Sequence, residues 1–268
     1  MAKIELFDTH CHIHESEYAD KYTESQQQLL DDAKKAGVKS VISVGTDLKN
    51  SLEAASFARI HPDTYASLAI HPHEANQDTI NELLGQFMVF ERLLDENNGK
   101  IVAIGECGLD YFYHHDKQTQ LAQKQLLIRH IELAQSRRLP MIFYVRDAFE
   151  DFFEIIDKFK GVKGVVHSFS SGVNELRGVL DRGLYVGLNG IITFTKEPHQ
   201  LDAARMVPLE KLVLETDAPF LTPKPFRGKM CKPEHIRVTA EFLSELRGES
   251  LEDLATATTT NAKRLFRL

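Results

Sequence analysis

The 268-residue sequence lacks the features that would place it in a membrane or outside the cell. No stretch approaches the roughly 20 apolar residues of a membrane span, and the first eight residues lack the apolar core of a signal peptide. The three cysteines, Cys11, Cys107 and Cys231, are odd in number and show no CxxC spacing. A disulfide framework is therefore not expected, and the pattern predicts reduced thiols in a soluble, cytoplasmic protein without membrane association.

The chain also lacks any low-complexity tract, Pro/Ser-rich linker or close internal repeat that would divide it. Hydrophobic residues make up 43% of the sequence, which is enough for one large buried core. These observations predict a single domain over residues 1–268. The formal net charge of −7 suits ordinary solubility. A polyanionic ligand would have to be attracted locally, by bound cations and a small basic patch, because the net charge of the whole protein would repel it.

Short β-rich runs alternate regularly with longer stretches of helical periodicity. The eight runs are Ile4–Asp8, Ser40–Gly45, Tyr65–Ile70, Ile101–Glu106, Met141–Tyr144, Gly164–His167, Leu184–Leu188 and Leu212–Glu215. An open doubly wound sheet competes with a barrel, but no GxGxxG motif follows the first run, and polar residues follow many different runs. The pattern predicts an α/β fold, the TIM (β/α)8 barrel, with an active site at the carboxyl ends of the strands.

Several of these strand ends carry metal-ligand residue types. His10 and His12 are two residues apart, so an extended backbone would direct both imidazoles to one face, close enough to share a cation. Glu106 stands where the fourth apolar run stops and is placed to bridge two metals, although such a carboxylate can also cap a helix or pair with an arginine. His167 and Asp217 follow the sixth and eighth runs. Together the five residues predict a metal centre.

Other polar residues near strand ends are candidates for substrate contact. His71 follows the third run and could hold a phosphate oxygen or protonate a leaving group. For His73, a supporting role beside the site and simple exposure to solvent explain the sequence equally well. Four basic residues lie after the eighth run, where they could contact a phosphate backbone or simply form a solvated loop. They are Lys224, Arg227, Lys229 and Lys232.

The same segments, taken in order, resemble the motifs of the TatD family of metal-dependent deoxyribonucleases. They are Phe7–His12, Ile70–His73, Gly105–Asp110, Leu139–Ala148, Val166–Phe169 and Glu215–Pro219. The resemblance spans nearly the whole chain. It implies a TIM barrel with one to three divalent cations and cleavage of DNA at 3′ ends or in single strands. By the same resemblance, the first metal would take His10, His12, Glu106 and Asp217, and the second would take Glu106 and His167.

Two positions depart from the family pattern. Tyr144 occupies the place where the second metal expects a histidine, and a neutral phenol is a poor ligand for a hard divalent ion. Occupancy of the second site is therefore in question, and the tyrosine could instead stack on substrate. The segment Met230–Pro233 differs from the family's RNEP, so a substrate contact there is also in question. Arg146 matches the family's arginine and could reach phosphate.

The expected reaction is phosphodiester hydrolysis by water activated at a divalent metal, one or two Mg, Mn or Zn ions per chain. Asp217 is the expected base and Glu106 the other catalytic carboxylate, while His71, Arg146 and Arg227 contact substrate. The expected partner is nucleic acid, single-stranded DNA in particular, and the expected state is a monomer. Two alternatives stay open: hydrolysis of an ester or amide, including an aminoacyl ester on tRNA, or a metal-binding protein whose catalysis Tyr144 has weakened.

Overall fold

The computed structural model describes residues 4–19 and 21–268. Residues 1–3, on which part of the signal-peptide prediction rests, lie outside the described residues. Eight β-strands occur in the described chain. They are β1 Leu6–Cys11, β2 Val38–Val44, β3 Thr64–Leu68, β4 Ile101–Asp110, β5 Met141–Arg146, β6 Gly164–Val166, β7 Tyr185–Leu188 and β8 Leu212–Leu214.

Helices alternate with the strands. They are α1 Ser16–Ala19, α2 Gln26–Lys35, α3 Leu48–Ile60, α4 Ile80–Asp95, α5 Lys117–Arg137, α6 Phe149–Ile156, α7 Val173–Asp181, α8 Pro198–Met206, α9 Ile236–Arg247 and α10 Leu251–Phe266. Short 3-10 turns lie at Pro72–Glu74, Gly190–Thr193, Leu209–Lys211 and Pro233–His235. Side-chain caps begin several of the α-helices, as where Asp116 accepts the backbone N–H of Thr119 at the start of α5.

The strands are hydrogen-bonded in chain order, β1 to β8, and pair in parallel. Parallel strands joined by helices are the (β/α)8 pattern, so the predicted TIM-barrel fold class is confirmed. The described chain divides into two compact units. The first contains the described residues up to Ser43 together with Ser168–Leu268, and the second contains Val44–His167. The prediction of a single domain stays a prediction.

The first unit is organised around strands β1 and β8. Residues Cys11 and Ala218 form a parallel bridge, and α10 packs against both strands. Asn261 on α10 donates its amide N–H groups to the carbonyl oxygens of Leu209 and Leu212, at 2.7 and 2.8 Å. Because Leu209 begins the turn before β8 and Leu212 begins β8 itself, the helix holds the strand that leads to Asp217.

The second unit is built on the ladder from β3 to β6. Strand β4 pairs with β5 as far as Asp110 and Arg146, so it runs four residues past its predicted end at Glu106. Gly108 permits this extension, because a Cβ there would overlap the carbonyl oxygen of Tyr144 and because its φ of +157° disfavours other residues. Glu106 therefore lies within the strand, and the prediction that the strand ends there is wrong.

Strand β1 also ends later than predicted, at Cys11 instead of Asp8, so His10 lies inside the strand. All three cysteines are buried and free. Within residues 4–19 and 21–268, no helix combines the length and the apolar composition needed to cross a membrane.

Candidate metal centre

In the first unit, three ligand-type side chains converge at the carboxyl end of β1. The Nε2 atoms of His10 and His12 are 3.1 Å apart, and the Oδ1 atom of Asp217 lies 3.6 Å from the first and 3.4 Å from the second. The extended backbone of β1 explains the paired imidazoles, because residues two apart in a strand point to the same face. The predicted convergence of the two rings is confirmed. We call His10, His12 and Asp217 the β1–β8 cluster.

Backbone hydrogen bonds hold Asp217 against β1. Its N–H donates to the carbonyl of His10 at 2.8 Å, and the N–H of His12 donates to the carbonyl of Ala218 at 2.6 Å. Asp217 itself has a φ of +60°, a left-handed conformation that aspartate tolerates better than most residues. The ladder between β1 and the segment after β8 thus determines where this carboxylate lies.

Asp8 is a buried residue of this region that the sequence analysis missed. Its carboxylate accepts the Thr216 hydroxyl at 2.6 Å and the Thr216 N–H at 2.9 Å, which joins β1 to the residue preceding Asp217. Burial raises the pKa of Asp8 to about 7, although the bonds from Thr216 act in the opposite direction. The alternation that singled out His10 and His12 applies to position 8 as well, so the signal was present in the sequence.

Glu15 is a second carboxylate that the sequence analysis missed. Its Oε1 lies 3.1 Å from the Nδ1 of His12, so it can orient the ring whose Nε2 faces Asp217. Burial alone would lower the pKa of His12, but the Asp217 and Glu15 carboxylates outweigh it and raise the pKa well above its ordinary value. The two carboxylates therefore stabilise a positive charge at this position. A bound cation would supply such a charge.

In the second unit, Glu106 lies between two histidines. Its Oε1 is 3.6 Å from the Nε2 of His167, which directly follows β6, and 3.7 Å from the Nε2 of His71, which follows β3. All three side chains are buried or nearly so. We call Glu106, His167 and His71 the β3–β6 cluster. The structure thus places His71, predicted to contact substrate, next to a predicted metal ligand.

Asp110 connects several polar groups beside this cluster. It accepts hydrogen bonds from the His73 Nε2 at 2.7 Å, from the Tyr113 N–H at 2.9 Å and from the Tyr144 hydroxyl at 3.1 Å. Burial acts to raise the pKa of Asp110, but these donors, His73 foremost, outweigh it and lower the pKa to about 2. The carboxylate is therefore ionised at neutral pH. It orders the loop after β4 through the Tyr113 N–H, and it also orients His73 and Tyr144.

Tyr144, the departure from the family pattern, has its hydroxyl directed to Asp110. Burial, followed by the Asp110 charge, raises the pKa of Tyr144 above its ordinary value, so the phenol is neutral. Its ring lies 4.7 Å from the His71 ring, in an edge-to-face arrangement. A neutral phenol already bonded to a carboxylate is poorly suited to metal binding.

The donor atoms of the β1–β8 cluster fit a divalent cation. Two ligands about 2.1 Å from a tetrahedral ion stand roughly 3.4 Å apart, and the three distances in this cluster, 3.1, 3.4 and 3.6 Å, lie within about 0.3 Å of that value. Both clusters contain residues that could hold a metal ion. The distances from Glu106 to its two histidines, 3.6 and 3.7 Å, are close to the same range. Imidazole and carboxylate ligands suit Zn and Mn, and carboxylates also suit Mg.

The predicted phosphate-binding cations have different surroundings. Arg146 lies over the Phe112 ring at 3.8 Å and the Tyr113 ring at 4.9 Å. Arg227, in the first unit, lies over the Phe194 ring at 3.9 Å and donates to the Thr222 carbonyl. The Nζ atom of Lys232 lies 2.5 Å from the Oε1 atom of Glu24. This lysine of the predicted basic loop is therefore already paired with an acid.

A (β/α)8 fold whose strand ends carry such histidine and carboxylate clusters defines a metal-dependent hydrolase. The chain belongs to the family described as TatD related DNase, which it matches over residues 7–267.

Curated relatives agree with this assignment. The "Uncharacterized metal-dependent hydrolase YabD" of Bacillus subtilis (strain 168) is 34% identical over 265 residues, covering 98% of this chain and 99% of that protein. The "Uncharacterized metal-dependent hydrolase YcfH" of Escherichia coli (strain K12) is 35% identical over 269 residues, covering 98% and 96%. The crystal structure of YJJV, a TatD homolog from Escherichia coli K12, has a TM-score of 0.87 and 28% identity and covers 100% of both chains.

Proposed function

We propose that this metal-dependent hydrolase is a deoxyribonuclease that cleaves phosphodiester bonds in single-stranded DNA, acting as a 3′–5′ exonuclease. The observation that supports the proposal most directly is the convergence of His10, His12 and Asp217. Their donor atoms are separated by distances that suit ligands of one bound cation. The description of the family includes the term DNase, without a strand or end preference, and supports the proposal to that extent. We further propose that the protein acts as a monomer in the cytoplasm, with nucleic acid as its substrate and no membrane association.

The proposed metal ligands are His10, His12, Glu106, His167 and Asp217, for one or two ions of Mg, Mn or Zn. When bound, a divalent cation supplies a Lewis acid that lowers the pKa of water and neutralises phosphoryl charge. Tyr144 is left out of the ligand set because its hydroxyl is bonded to Asp110.

The side chains of the protein perform the remaining steps. Asp217 would accept the proton of the attacking water, because one of its oxygens faces both imidazoles and the partly exposed carboxylate can reach solvent. The Glu106 carboxylate lies 3.7 Å from His71 and 3.6 Å from His167, where it would orient both rings. His71 would contact a phosphoryl oxygen or protonate the leaving group, while Arg146 and Arg227 would neutralise charge on the phosphoryl group as it becomes pentacoordinate.

The test measures metal content together with Mg- or Mn-dependent shortening of a 3′-labelled single-stranded oligonucleotide. Asp217→Asn should lose at least about a hundredfold in turnover, while its matched control Asp202→Asn, an exposed acid paired with Arg205 on α8, should retain it. A parallel panel of carboxylic esters, including an aminoacyl ester, tests the alternative substrate class. Turnover of esters alone would refute the nuclease, and turnover that survives in Asp217→Asn would refute the assigned base.

A further inference from the structure

Two adjacent aromatic side chains stand exposed in the loop between β4 and α5. Phe112 is 45% exposed and Tyr113 is 60% exposed, and their rings meet edge to face with centroids 4.9 Å apart. Side chains of this size are usually buried, so two adjacent exposed rings indicate a binding surface. We call Phe112 and Tyr113, together with Arg146, the aromatic platform.

Arg146 supplies the platform with a positive charge that no acid neutralises. Its guanidinium lies 3.8 Å from the Phe112 ring and 4.9 Å from the Tyr113 ring. Across the described ranges 4–19 and 21–268, no carboxylate lies within ion-pair distance of this group. The guanidinium also forms hydrogen bonds with the Tyr144 and Tyr113 side chains. Because it has five N–H donors, others remain to contact a phosphate, whose geometry they match.

Hydrogen bonds hold the backbone that carries the platform. The Tyr113 N–H donates to Asp110, the Tyr111 N–H donates to the Arg146 carbonyl at 2.9 Å, and the Tyr111 hydroxyl donates to Asp151 at 2.6 Å. These bonds hold the first half of the loop, and the Asp116 cap of α5 holds its end. Little backbone ordering is therefore left to oppose binding.

We propose that the aromatic platform binds an unpaired nucleotide, with the base stacked on the exposed aromatic rings and a neighbouring phosphate paired with Arg146. This inference deepens the proposed nuclease function and rests on it. Aromatic rings combined with a local cation are the usual means of binding single strands without sequence preference. The bases of a duplex are already stacked on one another, so the platform selects single-stranded over double-stranded substrate. A local cation also resolves the conflict between a polyanionic substrate and a net charge of −7.

The experiment uses the metal-loaded protein and a phosphorothioate-linked single strand, which resists cleavage, with 2-aminopurine placed at successive positions. Stacking on the platform should quench the fluorescence at one position, and the absence of tryptophan from the chain keeps the protein background low. The double variant Phe112→Leu/Tyr113→Leu should abolish this quenching and weaken binding at least about fivefold. Met88→Leu, which changes a side chain that is 70% exposed on α4, is the control and should do neither.

Arg146→Met tests the phosphate contact separately. In a plot of the logarithm of the affinity against the logarithm of the salt concentration, the magnitude of the slope should fall by about 0.7. This is the change expected when one phosphate contact with a single strand is lost. Unchanged quenching and affinity in the double variant would refute the platform. Equal affinity for a duplex, or for a strand with abasic sites, would also refute it. An absence of quenching at every position would refute it too, and would indicate that the exposed rings serve another partner, such as a protein.

The two proposals fail in distinguishable ways. Quenching at the platform without cleavage of any natural strand would refute the nuclease reaction and leave the nucleotide site standing. Cleavage of single-stranded DNA without quenching, and with unchanged KM in the double variant, would refute the platform and leave the reaction standing.

Discussion

Replacing His130 with glutamine should make the stability of the protein less sensitive to acid. His130 lies on α5 and is fully buried. Its Nε2 is 3.0 Å from the Ile70 N–H, and its Nδ1 is 2.8 Å from the Leu126 carbonyl. Because Nε2 must accept from an N–H, it carries no proton, so the folded protein holds the neutral ring. Burial lowers the pKa of His130 to about 3.

The sign and size follow from proton linkage. The folded-state pKa lies below the ordinary value of 6.5, so protons bind preferentially to the unfolded chain. The stability contributed by this neutral ring is complete above pH 6.5 and is lost as the pH falls towards about 3. One pH unit corresponds to about 1.4 kcal/mol, so lowering the pH from 6.5 to 5 should cost about 2 kcal/mol through this residue alone.

Urea unfolding followed by circular dichroism, in EDTA at pH 8 and at pH 5, measures this contribution. The free energy of unfolding of the wild-type protein should fall by about 2 kcal/mol more between the two pH values than that of His130→Gln. His199→Gln removes an exposed histidine on α8 and should behave like the wild type. An equal pH dependence in wild type and His130→Gln would show that the ring is protonated in the folded protein or that it opens readily to solvent.

Two further predictions concern strand β5 and its contacts. Gly108→Ala should destabilise the protein by more than about 3 kcal/mol, because the added Cβ would overlap the Tyr144 carbonyl. Gly85→Ala on α4 places its Cβ in open space and should stabilise the protein by up to about 1 kcal/mol. Thermal melting that ranks the two variants in the opposite order would contradict this account. Tyr144→Phe should cost about 1 kcal/mol and leave metal content unchanged, while Tyr144→His should raise the number of metal ions bound per chain. Metal analysis that shows a loss in Tyr144→Phe would identify the hydroxyl as a ligand.

The strands were easier to predict from the sequence than their ends. Apolar runs located all eight strands, because burial of a strand depends on its own side chains. The end of β4 was misjudged, since the polar residues after Ile104 interrupt the apolar run while the backbone ladder continues to Asp110. Ladder hydrogen bonds depend on the neighbouring strand β5, which an isolated run of sequence does not reveal.

The supporting carboxylates were missed for a related reason. Asp8 shares the alternation of His10 and His12, yet its role depends on Thr216, 208 residues further along the chain. Glu15 lies outside any strand and has meaning only through its contact with the His12 ring. Arg146 was predicted to contact phosphate, but nothing in its own segment indicates that Phe112 and Tyr113 lie against it.

The sequence by itself determined the fold class and the ligand-type residues, because strand periodicity and the chemistry of histidine and carboxylate side chains are local properties. It also determined that position 144 carries a phenol where the family pattern has an imidazole. Only the tertiary structure decided that Tyr144 bonds to Asp110, that Asp8 is tied to Thr216, and that Phe112 and Tyr113 surround an unneutralised arginine. The physical reason is that a hydrogen bond or a stacked ring requires two groups in a fixed geometry, and residues distant along the chain acquire that geometry only when it folds.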